Sequence, residues 1–404
     1  MKQNIYLADD VSSVLEGKCS AGKVIAYARW MLLSVVILTM IGLTMLYSAS
    51  YGRAGMKFFS NQLIWVGLGL AGAATVFVIG YRRMAEMSLV WIILSFLALV
   101  SCLFFKPING AHRWIQLGSF SIQPSEFAKV AVALFTAKYC SDHAWTFAKF
   151  KAKNGLLKLG CVLSVVILGI VAGHDLGTSI LVSATAFLTL LAAGLYWRYF
   201  VAPIAIAGVI SAYVYLFDAE RLSRATSFFN PELVRQGDGY QLWNSLLALG
   251  SGNWLGIGFM ESRMKAYYLP EAHTDFIIAI IGEELGFIAV LLILSLYAAF
   301  CFNAIKISLR AYSRLGTLLG FALCCGIIFQ AAINLLVVSG SAPTKGMPAP
   351  FISYGGSNMI ACLTAVGLLV SIASEAYDPD ADKYIRETII NKLFFLFRKK
   401  KKSN

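Results

Sequence analysis

An all-α polytopic membrane protein is the fold class the sequence predicts: ten transmembrane helices, both termini cytoplasmic, and a large extracytoplasmic loop between helices 7 and 8. Three observations predict it. Of the 404 residues, 58% are hydrophobic and 14% charged, against about 45–50% and 25% in soluble domains. Ten apolar runs approach the ~20 residues that a helix needs to cross a bilayer. With a cytoplasmic N-terminus, the inner segments hold 23 Lys and Arg and the outer ones 10, the asymmetry that sets orientation.

The runs are 30–50, 58–80, 88–105, 124–139, 156–172, 178–195, 199–217, 275–300, 315–338 and 358–374. They divide the chain into a cytoplasmic N-terminal arm (1–29), a membrane domain (30–374) containing the 218–274 loop, and a basic cytoplasmic tail (375–404). The formal charge of +13 reads as attraction to anionic inner-leaflet lipid, above all at Lys399 to Lys402, and not as a nucleic-acid surface. No cleavable signal peptide is visible, so the first run reads as an uncleaved anchor. The eight Cys form no C-x-x-C pair and the four His no H-x-x-x-H, which argues against a dedicated transition-metal site.

Taken in order, the first two hairpins carry interfacial aromatics (Tyr47, Tyr51, Trp65, Tyr81, Trp91) and read as scaffold. The first outer connection worth chemical scrutiny holds His112-Arg113-Trp114-Ile115, where a cation beside an indole is either an interfacial anchor or a ligand contact. Pro124 suits the first turn of the next helix. Glu126 and Lys129 follow, three residues apart and able to neutralise each other. Lys129 lies about 8 Å into that helix, where an ionisable group is a functional candidate or half of a structural pair. Asp175 precedes the sixth run as a cap or a site contact.

The 218–274 loop spans 57 residues, a length that is usually functional or disordered. Its aromatics and leucines argue for order, 240–249 reads as an interfacial amphipathic helix, and Arg221, Arg224, Arg235, Arg263 and Lys265 could meet phosphate. It ends in Glu271-Ala272-His273-Thr274-Asp275. Asp275 at the head of the eighth run reads as an N-cap or as a partly desolvated general base. Glu283 and Glu284, about 12–14 Å further along the axis, need partners, and Lys129 is the expected one. Gln330 and Asn334 share a face and read as hydrogen-bonding residues. The Gly-, Pro- and Ser-rich outer loop 339–357 reads as a re-entrant segment.

In order along the chain, His112 to Ile115, Gln123 to Lys129, Asp175 to Thr178, Gly239 to Gln241, Tyr268 to Glu284 and Pro350 to Ser357 resemble the SEDS family of cell-wall polymerases. The similarity runs from the first span to the tenth. Pro343-Thr344-Lys345-Gly346 looks more like its division branch, FtsW, than its elongation branch, RodA. The resemblance implies a ten-helix peptidoglycan glycosyltransferase that polymerises lipid II outside the bacterial cytoplasmic (inner) membrane, in septal synthesis. It implies a class B penicillin-binding transpeptidase and other divisome membrane proteins as partners. The family's essential acid falls on Asp275, its Arg-Trp pair on Arg113 and Trp114, and its intramembrane pair on Glu126 and Lys129; Lys265 also matches. Asp175, Gln241, Glu271, His273, Thr274, Ser353 and Ser357 are the remaining substrate-binding candidates. His174, Met264, Ala349 and Asn358 depart from the usual pattern.

Under this resemblance Asp275 accepts the proton of the acceptor 4-hydroxyl, which attacks the anomeric carbon with inversion. Arg113, Lys129, Lys265 or a divalent cation such as Mg or Mn meets the developing pyrophosphate charge. Two other readings stand beside it: a lipid II flippase, which needs no base at the outer face, and a scaffold for division proteins. A RodA-like elongation polymerase is the alternative within the family.

Overall fold

The computed structural model describes residues 21–107, 110–117, 120–144, 152–199 and 239–380, with single positions between 208 and 237 and between 382 and 388. Twelve helices and one small hairpin make up these residues: α1 (Ala21–Ala54), α2 (Lys57–Ile79), α3 (Tyr81–Glu86), α4 (Ser88–Cys102), β1 (Ile115–Leu117), β2 (Phe120–Ile122), α5 (Pro124–Asp142), α6 (Ala152–Ala172), α7 (Leu176–Ala192), α8 (Tyr240–Ser251), α9 (Met264–Tyr267), α10 (Ile277–Leu309), α11 (Arg314–Val338) and α12 (Gly356–Tyr377). Six are long and apolar enough to cross a membrane; α4 and α7 are apolar but shorter. The chain is a multi-pass membrane protein.

Nine of the ten apolar runs fall on described helices. The run 199–217 lies outside the described residues except for Tyr199 and Gly208, as do Arg221, Arg224, Arg235 and everything before residue 21. Helix α1 begins at Ala21, inside the expected arm, because nothing in 21–29 breaks a helix and the apolar run simply extends it. Lipid-facing positions such as Leu63, Leu68 and Leu70 of α2 are exposed large apolars. Buried hydroxyls bond back within their own helix, as Thr185 Oγ1 does to the Leu181 carbonyl (2.8 Å) and Thr189 Oγ1 to that of Thr185 (2.7 Å), which leaves few polar groups unsatisfied in hydrocarbon.

Small residues set the closest contacts. A Cβ at Gly367 of α12 would lie 2.6 Å from the Ala73 carbonyl oxygen of α2, the near-contact of backbones by which membrane helices associate. The second close approach breaks α10. The run from 277 reads as one continuous span, yet at Gly286 the backbone turns to φ 77°, ψ −178°, a conformation strongly disfavoured for a side chain with a Cβ. Carbonyls freed by the break are claimed by the segment after α8: Ile257 N–H donates to Glu283 O (3.0 Å) and Gly258 N–H to Glu284 O (3.1 Å). In return, Phe287 and Ile288 N–H donate to the Asn253 and Trp254 carbonyls. Non-helical backbone survives beside a spanning helix only when its polar groups are paired in this way.

The loop between α11 and α12 enters the bundle, as its composition predicts. A Cβ on Gly42, midway along α1, would sit 2.6 Å from Ile352 Cα, and Tyr297 OH of α10 donates to the Pro350 carbonyl (2.6 Å). After α12 the chain turns back. Arg386 pairs with Asp382 (2.6 Å), donates to the Phe77 carbonyl and to Ser371 Oγ (3.1 Å), and lies over the Phe77 ring. The first part of the tail is therefore docked on the bundle; 389–404, with the basic run, lies outside the described residues.

Candidate active site

Three loops meet at the start of α10. The turn 268–276 is built on Glu271, whose left-handed backbone (φ 54°) lets its carbonyl accept from Thr274 N–H (3.1 Å) and Phe276 N–H (3.3 Å). The Glu271 carboxylate accepts from Thr274 Oγ1 (2.7 Å). Asn334 of α11 donates through Nδ2 to both the Asp275 carbonyl (2.8 Å) and the Met347 carbonyl (2.7 Å), so one amide ties the turn to the α11–α12 loop. Tyr354 N–H donates to His273 O (3.0 Å), and the His273 ring lies 4.6 Å from Phe58 and 5.9 Å from Tyr354. His273 is thus held in an aromatic cluster, while Thr274 braces Glu271.

Helix α10 starts at Ile277, so Asp275 stands in the turn before it and its side chain does not cap the helix. Its carboxyl is half-buried, with Oδ2 2.9 Å from where a Cβ of Gly346 would stand; a larger residue there would fill the space in front of the acid. Burial pushes the Asp275 pKa up to about 7, the Glu271 carboxylate adds to the rise, and the Arg113 guanidinium opposes it. An acid that titrates near neutrality beside a cation suits proton acceptance. Arg113 and Trp114 are half-buried, and Arg113 Nε is buried without a hydrogen-bond partner among the described residues. The hairpin β1–β2 that follows carries the chain from this pair into α5.

Several expected site residues have structural partners instead. Asp175 caps α7 by accepting from Thr178 N–H (3.2 Å) and accepts from Gln123 Nε2 (2.9 Å) and Ser125 Oγ (3.0 Å). Ser357 Oγ accepts from Gln123 N–H (2.8 Å), and Ser353 Oγ from Ala349 N–H (2.8 Å). These bonds fix the loops. Gln241 is half-buried in the first turn of α8, and no described contact joins it to Asp275. Helix α8 itself is held by Ser245 Oγ on the Val338 carbonyl and Asn244 on that of Tyr268.

The expected pairing of Lys129 with Glu283 or Glu284 is not formed. Lys129 binds Glu126 (2.6 Å) and Gln330 Oε1 (2.6 Å), and Gln330 passes the network on to the Pro348 carbonyl and Asn358. Glu284 instead pairs with Lys265 (2.6 Å), which also donates to Ser48 (2.9 Å). Glu283 accepts from Ser262 Oγ and from Arg263 N–H (3.0 Å). The physical reason is the break at Gly286: it brings the segment 252–265 against α10, so both acids find donors locally. Lys265 is accordingly a tie beneath the loop, not a free cation. A small, half-open cavity of about 40 Å³ is lined by Glu126, Lys129, Gln330 and otherwise chiefly apolar side chains such as Val182 and Leu323. Among the described residues no group of three or more His, Cys, Asp or Glu could hold a metal ion.

The sequence reading missed Ser48, whose partners lie over two hundred positions away, Ser262, 21 positions from Glu283, and the proximity of Gly346 to the acid; no local pattern marks these contacts.

A multi-helix membrane protein with an acid in the turn that leads into a broken helix is the class these features define. The chain belongs to the FtsW/RodA/SpoVE family of cell cycle proteins, whose model matches residues 29–378. It is 37% identical over 358 residues to the probable peptidoglycan glycosyltransferase FtsW of Geobacter sulfurreducens, covering 86% of this chain and 95% of that one. It is 35% identical over 353 residues to the stage V sporulation protein E of Bacillus subtilis, covering 85% and 95%. Among solved structures it resembles a chain from a study of structural coordination of polymerization and crosslinking by a peptidoglycan synthase complex, at 25% identity and a TM-score of 0.72 over 86% of this chain and 98% of that one. The rod shape determining protein RodA of Thermus thermophilus shares the fold, with a TM-score of 0.63 at 24% identity over 86% of this chain and 97% of that one.

Proposed function

We propose that this chain is a peptidoglycan glycosyltransferase that polymerises lipid II at the outer face of the bacterial cytoplasmic membrane, in septal synthesis during division. Ten spans, cytoplasmic termini and an outer 218–274 loop belong to the same reading, as do a class B penicillin-binding transpeptidase and other divisome proteins as partners. The family scaffold supports it. The observation that carries it is the Asp275 carboxyl, half-buried and poised near neutrality beside Arg113.

In this reading the acceptor's 4-hydroxyl loses its proton to Asp275 as its oxygen bonds to the donor's anomeric carbon. The bond from that carbon to the lipid pyrophosphate breaks, and the configuration inverts. One base suffices because no covalent sugar intermediate forms. Arg113 stabilises the leaving charge; Glu271, His273, Thr274 and Asn334 hold the turn; and Lys129, Glu126, Asp175, Ser353 and Ser357 hold the loops that frame it.

Purified protein with its transpeptidase partner and lipid II in detergent tests this directly. Glycan chains from the native protein and none from Asp275→Ala are expected, whereas equal polymer from both would remove Asp275 as the base. The Glu126–Lys129 pair bordering a cavity favours lipid translocation as a second reading. A vesicle flipping assay that succeeds with Asp275→Ala, while no polymer forms with any partner, would select it.

A further inference from the structure

We propose that Lys345, in the α11–α12 loop, is the cation that holds the pyrophosphate of the lipid-linked donor next to Asp275, acting with Arg113. The inference rests on the polymerase reading and names the group that binds its leaving group.

Elimination among the cations comes first. Lys129 is neutralised by Glu126, and Lys265 by Glu284; each sits in a closed pair, and drawing either toward a phosphate would strand a buried carboxylate, which is costly. Arg263 lends its backbone N–H to Glu283 and is exposed. Two cations on the loops that meet at the start of α10 form no ion pair among the described residues: Arg113, with its buried orphan Nε and its field on Asp275, and Lys345.

Placement comes second. Lys345 is the residue before Gly346, where an added Cβ would lie 2.9 Å from Asp275 Oδ2, and consecutive α-carbons are about 3.8 Å apart. The position is rigid: the Lys345 carbonyl accepts from Met347 N–H (2.9 Å), and the Met347 carbonyl is bonded by the same Asn334 amide that holds Asp275. The backbone carrying the cation and the backbone carrying the acid are therefore fixed to one side chain. Gly346 leaves open the space that a side chain would occupy before the carboxylate.

Chemistry comes third. Lys345 is half-buried, and burial lowers its pKa with no acid to oppose the shift. A partly dehydrated ammonium without a counter-ion is stabilised by an anion that brings its own charge, and a lysine serves phosphate as a point charge free to follow the oxygens. Asp275 must stay clear to take a proton, and no ion pair joins it to Lys345. A pyrophosphate carries enough negative charge to engage both Lys345 and Arg113 as the sugar departs.

The test uses the full chain with its transpeptidase partner in detergent and reads binding of a polyprenyl pyrophosphate separately from turnover of lipid II. Lys345→Met is expected to weaken polyprenyl pyrophosphate binding about tenfold and to raise the KM for lipid II more than it lowers kcat. Lys345→Arg is expected to keep most of the affinity, and Asp275→Asn to bind like the native protein while making no polymer. Lys345→Gln, similar in length but uncharged, serves as the second neutral variant if Lys345→Met does not fold. Native affinity in a folded neutral variant overturns the proposal, as does an equal loss in Lys345→Arg, or a native protein that binds no polyprenyl pyrophosphate. If the native protein binds the lipid through Lys345 but makes no polymer with any partner, the polymerase reading fails and the anion site stands.

Discussion

At the scale of single residues, Asp275 gains its chemistry from burial and two neighbours rather than from its place in the chain. Burial and Glu271 raise its pKa to about 7 while Arg113 restrains it. A base works only when deprotonated, so polymerisation should rise with pH through about 7 and be roughly tenfold slower at pH 6 than at pH 8. Arg113→Gln should move that midpoint upward and Glu271→Gln downward, as read from initial rates of glycan formation; a profile that ignores both would disconnect the acid from the proton transfer. The same shift acts on stability. Because the folded-state pKa lies above the unfolded value near 4, its contribution is full below that value and is lost as pH rises through about 7. Asp275→Asn should therefore raise the melting temperature relative to the native chain at pH 8, with the gain shrinking toward pH 4. The acid, Arg113 and the Glu126–Lys129 pair were legible as residues in the sequence; which of them share a space was not.

Elements explain why the expected partners of Glu283 and Glu284 were wrong. Helical spacing assumes a straight α10, whereas Gly286 breaks it and lets the segment after α8 pair with its backbone. Gly286→Ala forces a Cβ into a left-handed conformation 2.4 Å from Gly256 N. A penalty of at least ~1–2 kcal/mol is expected from the backbone alone, and more from the overlap, visible as a loss of monodisperse protein or a fall in melting temperature. The Lys265–Glu284 pair at this break offers a second check. Its carboxylate is fully buried, so Lys265→Met should cost ~3 kcal/mol, and the double variant Lys265→Met with Glu284→Gln should recover a large part of it. Strict additivity in that cycle would show that the pair is not coupled. The amphipathic pattern of 240–249 did yield a helix, α8, because apolar spacing is local information; the break did not show, because a glycine in an apolar run has no signature apart from its neighbours.

At the scale of the whole molecule, the described residues hold six long apolar helices and two shorter ones, with the α11–α12 loop packed against α1 and α10, while the start of the tail docks at Phe77 and Ser371. The proposed orientation puts the 268–276 turn outside and Arg386 inside. In a cysteine-depleted background, a cysteine at the exposed Glu261 should react with an impermeant maleimide added to intact spheroplasts, and one at the exposed Asp378 only after permeabilisation. The reverse pattern would invert the topology and remove Asp275 from the face where the acceptor glycan lies.

The sequence alone determined the membrane class and the positions of nine described helices, because hydrophobic length is a property of contiguous residues, while the choice of Asp275 among the acids came from the family resemblance. Only the tertiary structure decided that Asn334 ties Asp275 to the α11–α12 loop, that Lys129 and Lys265 are already neutralised, and that Arg113 keeps a buried Nε without a hydrogen-bond partner among the described residues. The reason is physical: in a low-dielectric interior each charge is fixed by its nearest opposite, and nearness among α10, α11 and the outer loops is set by helix breaks and glycine contacts that no local pattern encodes.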